Sequence, residues 1–228
     1  MDKSARLLEL AARRKATRWP GYGSIGDYHD GIYECDFVSP YTKSAGNVDS
    51  PLMILLQDWA SEDVLQGPVL PERIEFGHDP HRRTNQQLKA LLRRHFDMDL
   101  SNVFATNVFP FVKLGGMSAA IPTRDLVRAA REFAIPQIEI VRPVLAVCLG
   151  KSAFNAVAIA AGNPPSPSVD EAIARPFRFG TAEIWCQAHT GPIGTNNRNA
   201  GGVNRVDDDW ARMAEAFHAA EQARNLNS

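Results

Sequence analysis

Three short apolar runs each end in a side chain able to do chemistry. Leu52–Leu56 is followed by Gln57 and Asp58, Val103–Thr106 by Asn107, and Glu183–Ala188 by His189. A carboxylate can stabilise a developing cation and orient an attacking water. A neutral imidazole can donate one N–H to a developing anion without becoming an imidazolium, and an amide offers one donor and one acceptor to a flat polar ligand. Singly, each has a structural reading: Asp58 capping a turn, Asn107 satisfying loop backbone, His189 packing. Ligands of open α/β sheets collect at the carboxyl ends of the strands, where one pocket can use an acid, an amide and an imidazole together.

The elements that would carry these residues follow from periodicity. The three runs and a fourth, Val144–Leu149, have the length and punctuation of buried parallel strands. Helical patterns lie between them. Thr84 is placed to cap a helix carrying Leu88, Leu91 and Leu92; Thr123 is placed to cap another with Leu126, Val127, Ala130 and Phe133, broken or kinked at Pro136. Lys151–Ala161 follows Gly150 directly as a strand-turn-helix unit, and Asp207–Asp209 suit the positive N-terminus of a last helix reaching about Arg224. Strands alternating with helices predict an α/β fold, a three-layer α/β/α sandwich around a central parallel sheet of about four strands. The expected organisation is one domain over residues 1–228, with a helical and irregular lead-in over 1–50 and the core over 51–225. Residues 163–170 and the polar stretch 189–205 read as loops.

Composition narrows the class. The chain has 228 residues, 44% of them hydrophobic and 22% charged, with a formal net charge of −1, ordinary for one globular domain. No apolar run reaches the ~18 residues of a membrane span. Cys35, Cys148 and Cys186 are isolated and odd in number, which predicts a reducing, cytoplasmic setting and neither a disulfide framework nor a closed cysteine metal site. His29, His78, His81 and His95 show no ligand spacing with them, and Gly115-Gly116 lacks a phosphate-loop pattern, so no metal or organic cofactor is expected. Local charge is uneven. Residues 81–95 carry Arg82, Arg83, Lys89, Arg93 and Arg94 without an acid, a cluster able to follow a phosphate backbone or simply to solvate a helix face.

The ordered set of motifs resembles the uracil-DNA glycosylase superfamily over roughly residues 50–220. Leu56-Gln57-Asp58-Trp59-Ala60-Ser61 resembles its first motif, Gly-Gln-Asp-Pro-Tyr in the best-known branch, and Ala188-His189-Thr190-Gly191-Pro192-Ile193-Gly194 resembles the second, His-Pro-Ser-Pro-Leu-Ser. Thr106-Asn107-Val108-Phe109-Pro110 is similar to the strand end that presents a base-reading asparagine, and residues 138–153, ending Leu149-Gly150-Lys151-Ser152-Ala153, are similar to the helix-strand-Leu-Gly-x-x-Ala stretch. Each motif alone is weak; four in order are fairly specific.

The resemblance implies hydrolysis of the bond between C1′ and the base of a nucleotide flipped out of DNA. Asp58 would position water and stabilise the sugar cation, His189 would stabilise the departing base, Asn107 would read O4 and N3–H of uracil, and the Gln57 backbone would help hold the base. Ile193 takes the position of the residue that wedges into the vacated stack, with Pro192, Asn196, Asn197 and Arg198 beside it for phosphate and groove contacts, and Arg82 and Arg83 as further DNA-binding candidates. Trp59 replaces proline. Ala60 replaces a tyrosine that excludes the thymine methyl in one branch, so strict rejection of 5-substituted pyrimidines is not implied. The base-stacking aromatic is open between His81, from alignment of Gly77-His78-Asp79-Pro80-His81 with a Gly-x-Pro-Phe stretch, and nearby Phe76. The branch with that stretch needs four iron–sulfur cysteines, which three isolated ones do not supply. The implied protein is a monofunctional, monomeric DNA glycosylase with DNA as its partner and no membrane association. Two other readings stay open: a same-fold hydrolase of free nucleosides or small molecules, and a non-catalytic nucleic-acid-binding relative.

Overall fold

The computed structural model describes residues 2–226. In chain order the elements are α1 (Lys3–Ala16), β1 (Tyr22–Gly23), β2 (Leu52–Asp58), α2 (Glu62–Gln66), α3 (Pro71–Phe76), α4 (Arg83–Phe96), β3 (Phe104–Phe109) and β4 (Val112–Lys113). They continue with α5 (Thr123–Ala129), α6 (Ile135–Val141), β5 (Leu145–Leu149), α7 (Lys151–Ala160), α8 (Val169–Ala174), β6 (Phe177–Phe179), β7 (Ala182–Gln187), α9 (Pro192–Arg198) and α10 (Arg205–Leu226).

Alternation along β2 explains the layering. Met53 and Leu55 enter one apolar cluster with Phe104, Ala146, Cys148 and Ile184, backed by α5 to α8. Leu52, Ile54 and Leu56 enter the other with Leu145, Val147 and Trp185, covered by Leu88, Leu91 and Leu92 of α4 and Trp210, Met213 and Phe217 of α10. Successive side chains of a strand point to opposite faces, so a continuous apolar run covered on both sides makes a three-layer sandwich.

The main sheet has the order β3-β2-β5-β7-β6. β3, β2, β5 and β7 are mutually parallel, while β6 pairs antiparallel with β7. The expected four strands are these parallel ones; β6 is a fifth. Its three residues, interrupted by Arg178 and turned at Gly180 (φ 57°), are too few to show a period. β3 also runs further than its apolar signal, placing Asn107 inside the strand opposite Leu56.

Several helix boundaries differ from expectation. Thr84 lies inside α4, whose N-cap is Arg82, and Thr123 is the first residue of α5, whose N-cap is Pro122; neither cap position makes a side-chain capping bond. Pro136 does not end the helix. A π-turn over Ala130–Ala134 absorbs the missing donor, and α6 continues to Val141. The stretch 189–205 is not all loop, because Gly191 and Pro192 start α9 with a capping residue and a first-turn proline.

The lead-in is tied down before it reaches the sheet edge. Leu10 and Trp19 join the first apolar cluster. Buried Arg14 grips Glu34 with both terminal nitrogens (2.7 and 2.6 Å) and bonds the carbonyls of Cys35 and Phe37. This delivers a short 3₁₀ turn, Pro40–Lys43, against β3, where Thr42 Oγ1 donates to Ala105 O (2.7 Å).

Candidate active site

The carboxyl ends of β2 and β3 and the segment after β7 close around a cavity of about 280 Å³, near the lower end of the ~300–1,000 Å³ usual for small-molecule sites. Asp58 ends β2. Its Oδ1 accepts from Gln57 Nε2 (2.9 Å), and its Oδ2 lies 3.0 Å from Lys113 Nζ. This contact is an ion pair without hydrogen-bond alignment, so Oδ2 keeps an unused lone pair among the described residues. Both side chains are buried, 8% and 5% exposed, so each charge depends on the other. Lys113 reaches this place because β4 pairs antiparallel with β1 and bridges to Ser61; its Nζ also donates to Met117 O (2.6 Å).

Asn107 forms part of the cavity wall and is fully buried. Its Oδ1 accepts from Ser39 Oγ (2.5 Å), while Nδ2 has no acceptor among the described residues. Ser39 is itself held by accepting the N–H of Tyr41 (3.2 Å), so the 3₁₀ turn sets the amide's orientation.

His189 follows β7 on the opposite side of the cavity. The Gly191 N–H donates to its Nδ1 (3.0 Å), which leaves the proton of the neutral ring on Nε2. Although the residue is exposed at the cavity mouth, surrounding protein strips enough water to lower its pKa, against the opposing pull of the Asp58 carboxylate. Gly191 is required here: a Cβ would stand 2.8 Å from His189 Nδ1 and 3.0 Å from Thr84 Oγ1. The glycine found in place of the family motif's serine thus makes room for the ring it orients.

The aromatic wall is not the expected one. Neither His81 nor Phe76 lines this cavity: His81 is exposed, and Phe76 lines a neighbouring cavity with Ser44 and Lys89. Tyr41 and His78 line it instead, stacked at 4.7 Å and 20°. The cause is Gly77, in the left-handed region (φ 73°) and so close to Pro40 that a Cβ would come within 1.7 Å of its carbonyl oxygen. This turn separates Phe76 from the cavity and brings in His78. His78 Nδ1 lies 3.1 Å from both Phe76 O and Ser44 Oγ. A carbonyl can only accept, so Nδ1 carries the proton and Nε2 is a buried acceptor with no donor among the described residues. Burial, with smaller opposing and reinforcing effects from nearby groups, pushes the His78 pKa down to about 4.

Gln57 and Trp59 line the cavity as expected, Trp59 fixed by donation from Nε1 to Gly77 O (2.6 Å), and Ala60 is buried beside them. Ile193 stands out on the first turn of α9, 79% exposed, with Pro192, Asn196 and Asn197 also exposed. Arg198, expected on DNA, is engaged within the protein. Its guanidinium grips Asp209 of α10 (2.6 Å) and Asp170 of α8, bonds that raise its pKa and anchor α9 to the core. Arg82 is exposed and on the cavity rim, whereas Arg83 is exposed away from it.

Tyr41, Arg73, His78 and Lys113 are among the cavity residues that escaped the sequence reading. Lys113 carried a usable signal, a charge directly after Phe111 and Val112 in a buried run. Tyr41 and Arg73 lie in segments without periodicity. Among the described residues no group of three His, Cys, Asp or Glu could hold a metal ion, and no helix is long and apolar enough to cross a membrane. A family model described as the uracil DNA glycosylase superfamily matches residues 44–214. None of the curated proteins matches the chain.

Proposed function

The chain belongs to the uracil DNA glycosylase superfamily, and on that premise we propose that it is a monofunctional DNA glycosylase releasing uracil or a related deaminated or modified base. The observation that carries this reading is one cavity holding the Asp58 carboxylate, the His189 Nε2–H and the unpaired amide nitrogen of Asn107.

The base enters with its polar edge towards Asn107. Nδ2 donates to O4, and the second lone pair of Oδ1 takes N3–H, since a carbonyl oxygen can accept twice. The Gln57 backbone borders the base. As the C1′–N bond breaks, its electron pair moves into the base, and His189 Nε2–H donates to O2, where negative charge gathers. The sugar becomes an oxocarbenium-like cation facing Asp58. The carboxylate orients a water, whose oxygen bonds to C1′ while its proton passes to the carboxylate and then to solvent or the leaving base. The products are the free base and an abasic sugar with both phosphodiester bonds intact. The step calls on no metal or organic cofactor. Outside the cavity, Arg82 faces the backbone and Ile193 fills the gap left in the stack. The protein acts as a monomer, in the cytoplasm.

Labelled oligonucleotides with a single uracil, single-stranded or opposite G or A, are incubated with the protein and treated with alkali. Strand scission that disappears in Asp58→Asn is the expected result. Undiminished scission in both Asp58→Asn and His189→Ala would sink the proposal.

A further inference from the structure

Arg73 is a buried cationic side chain of the cavity that, among the described residues, has no carboxylate or hydrogen-bond acceptor as a partner. It projects from α3, is 8% exposed, and lines the cavity between Trp59 and His78 in the order of the chain. Among the described residues nothing accepts a hydrogen bond from its guanidinium and no carboxylate pairs with it; its one neighbour of note is the Tyr33 ring, 5.9 Å from Cζ. None of its nitrogens is among the sealed polar atoms without a partner, so the guanidinium keeps some accessible surface. Lys113, the other buried cation of the wall, is neutralised by Asp58. Burying a guanidinium without a counter-group is costly, and the cost is recovered when a ligand supplies acceptors.

The position separates two kinds of acceptor. A flipped nucleotide leaves its phosphates outside, where Arg82 is exposed on the rim, and inserts its base. Arg73, nine-tenths buried, lines the same cavity as Asn107 and His189. Uracil offers two carbonyl oxygens, and on the reading above His189 and Asn107 each take one lone pair of one of them. Bound uracil therefore has at most one lone pair on either oxygen for Arg73 and no pair of adjacent acceptors for its fork. A guanidinium fork matches two adjacent acceptors on one edge, as in the O6/N7 edge of an oxopurine or a carboxylate.

We propose that Arg73 is a base-reading residue that selects bases with two adjacent acceptors on one edge in preference to uracil itself. Two bases supply that chemistry differently: hypoxanthine through O6 and N7, and 5-carboxyluracil through its carboxylate. The proposal rests on the glycosylase reading for its substrate, but not for its detection.

Single-stranded oligonucleotides carrying hypoxanthine, 5-carboxyluracil, uracil or thymine are compared by kcat/KM for wild type, Arg73→Met and Arg73→Lys. Thymine controls for bulk without an added acceptor. At least one paired-acceptor base should exceed uracil by about 10–100-fold, the range of a hydrogen bond to a charged group. Which one does so identifies the source. Arg73→Met should erase that preference, lowering kcat/KM on the preferred base about 10–100-fold more than on uracil, and Arg73→Lys should restore only part of the difference because it lacks the fork. Equal losses on all four bases in Arg73→Met, or a wild-type enzyme that prefers uracil, would overturn the proposal. If wild type cleaves none of the strands, calorimetric titration with the free bases decides. Arg73-dependent binding of hypoxanthine or 5-carboxyluracil over uracil keeps the inference and removes the glycosylase; indifferent binding removes the inference.

Discussion

Two histidines line the same cavity and are held in opposite tautomers. His189 accepts the Gly191 N–H at Nδ1 and offers Nε2–H; His78 faces a backbone carbonyl with Nδ1 and offers an Nε2 lone pair. Burial lowers both pKa values, so neither wall depends on an imidazolium. Their settings differ as well. His78 is sealed in, stacked on Tyr41 and fixed by the turn at Gly77, whereas His189 opens to the mouth at the start of a helix bearing an exposed isoleucine. A donor exposed to incoming substrate suits charge stabilisation during bond breaking; a sealed acceptor suits shape and recognition. Ring identity alone does not assign a role. The neighbour on Nδ1 does.

The sharpest way to break this comparison is to remove each ring. His189→Ala should lower kcat by about 10²–10³-fold, the usual effect of losing one donor to a developing anion. His78→Phe, which keeps a ring against Tyr41, should leave kcat within a few-fold and act through KM and base preference. Single-turnover rates at saturating enzyme separate the two. Comparable losses in the chemical step would make the walls equivalent and the tautomer contrast irrelevant. Gly191→Ala sharpens the point, because it keeps the imidazole but forces a methyl to within 2.8 Å of Nδ1; its loss should approach that of His189→Ala.

Between the walls, the Asp58–Lys113 pair asks whether the cavity floor serves stability as well as chemistry. Lys113→Met leaves a buried carboxylate unpaired and should cost roughly 3 kcal/mol in urea unfolding. The double variant Asp58→Asn/Lys113→Met should recover part of that loss, since removing both charges is cheaper than removing one. A single variant as stable as wild type would mean the pair contributes little.

The sequence carried Asp58, Asn107 and His189 better than Tyr41, Arg73 and His78, for a physical reason. Asp58, Asn107 and His189 sit at or just beyond buried strands, and an apolar run ending in a polar residue is visible without coordinates. Even β3, which runs three residues past its apolar signal, keeps Asn107 at the expected end of the sheet. The other wall comes from residues 39–44 and 71–85, where no period exists and contacts depend on one glycine. Counting along Gly77-His78-Asp79-Pro80-His81 selected the outward histidine, because a left-handed turn packed on Pro40 is a tertiary fact. Arg198 differs again. Its type suits phosphate, but Asp170 and Asp209 lie 28 and 11 residues away along the chain and claim it first.

Acid separates the walls by their burial. The folded His78 ring titrates at about 4 and the free ring near 6.5, so on acidification the unfolded chain takes up its proton first. The stabilisation is complete above about pH 6.5 and is lost as pH falls towards 4, amounting to roughly 2–3 kcal/mol over the window. The difference in unfolding free energy between wild type and His78→Phe should therefore shift in favour of the variant from pH 7 to pH 4.5. A constant difference would place His78 in contact with water and remove the basis for treating its wall as sealed.

The smallest effect belongs to the open wall. Ile193 makes little packing contact at 79% exposure, so Ile193→Ala should change stability by less than about 0.5 kcal/mol. A wedge nevertheless matters where a stack must be held open. Unstacking a paired base costs a few kcal/mol, and a single strand has already lost most of that constraint. Cleavage of uracil in duplex should fall several-fold in Ile193→Ala while cleavage in single strand changes by less than two-fold, read as kcat/KM on matched sequences. Equal losses on both substrates would make Ile193 a general DNA contact instead of a wedge. Unchanged rates on both would reduce α9 to a platform, held by Arg198, whose work is to present the Gly191 N–H to His189.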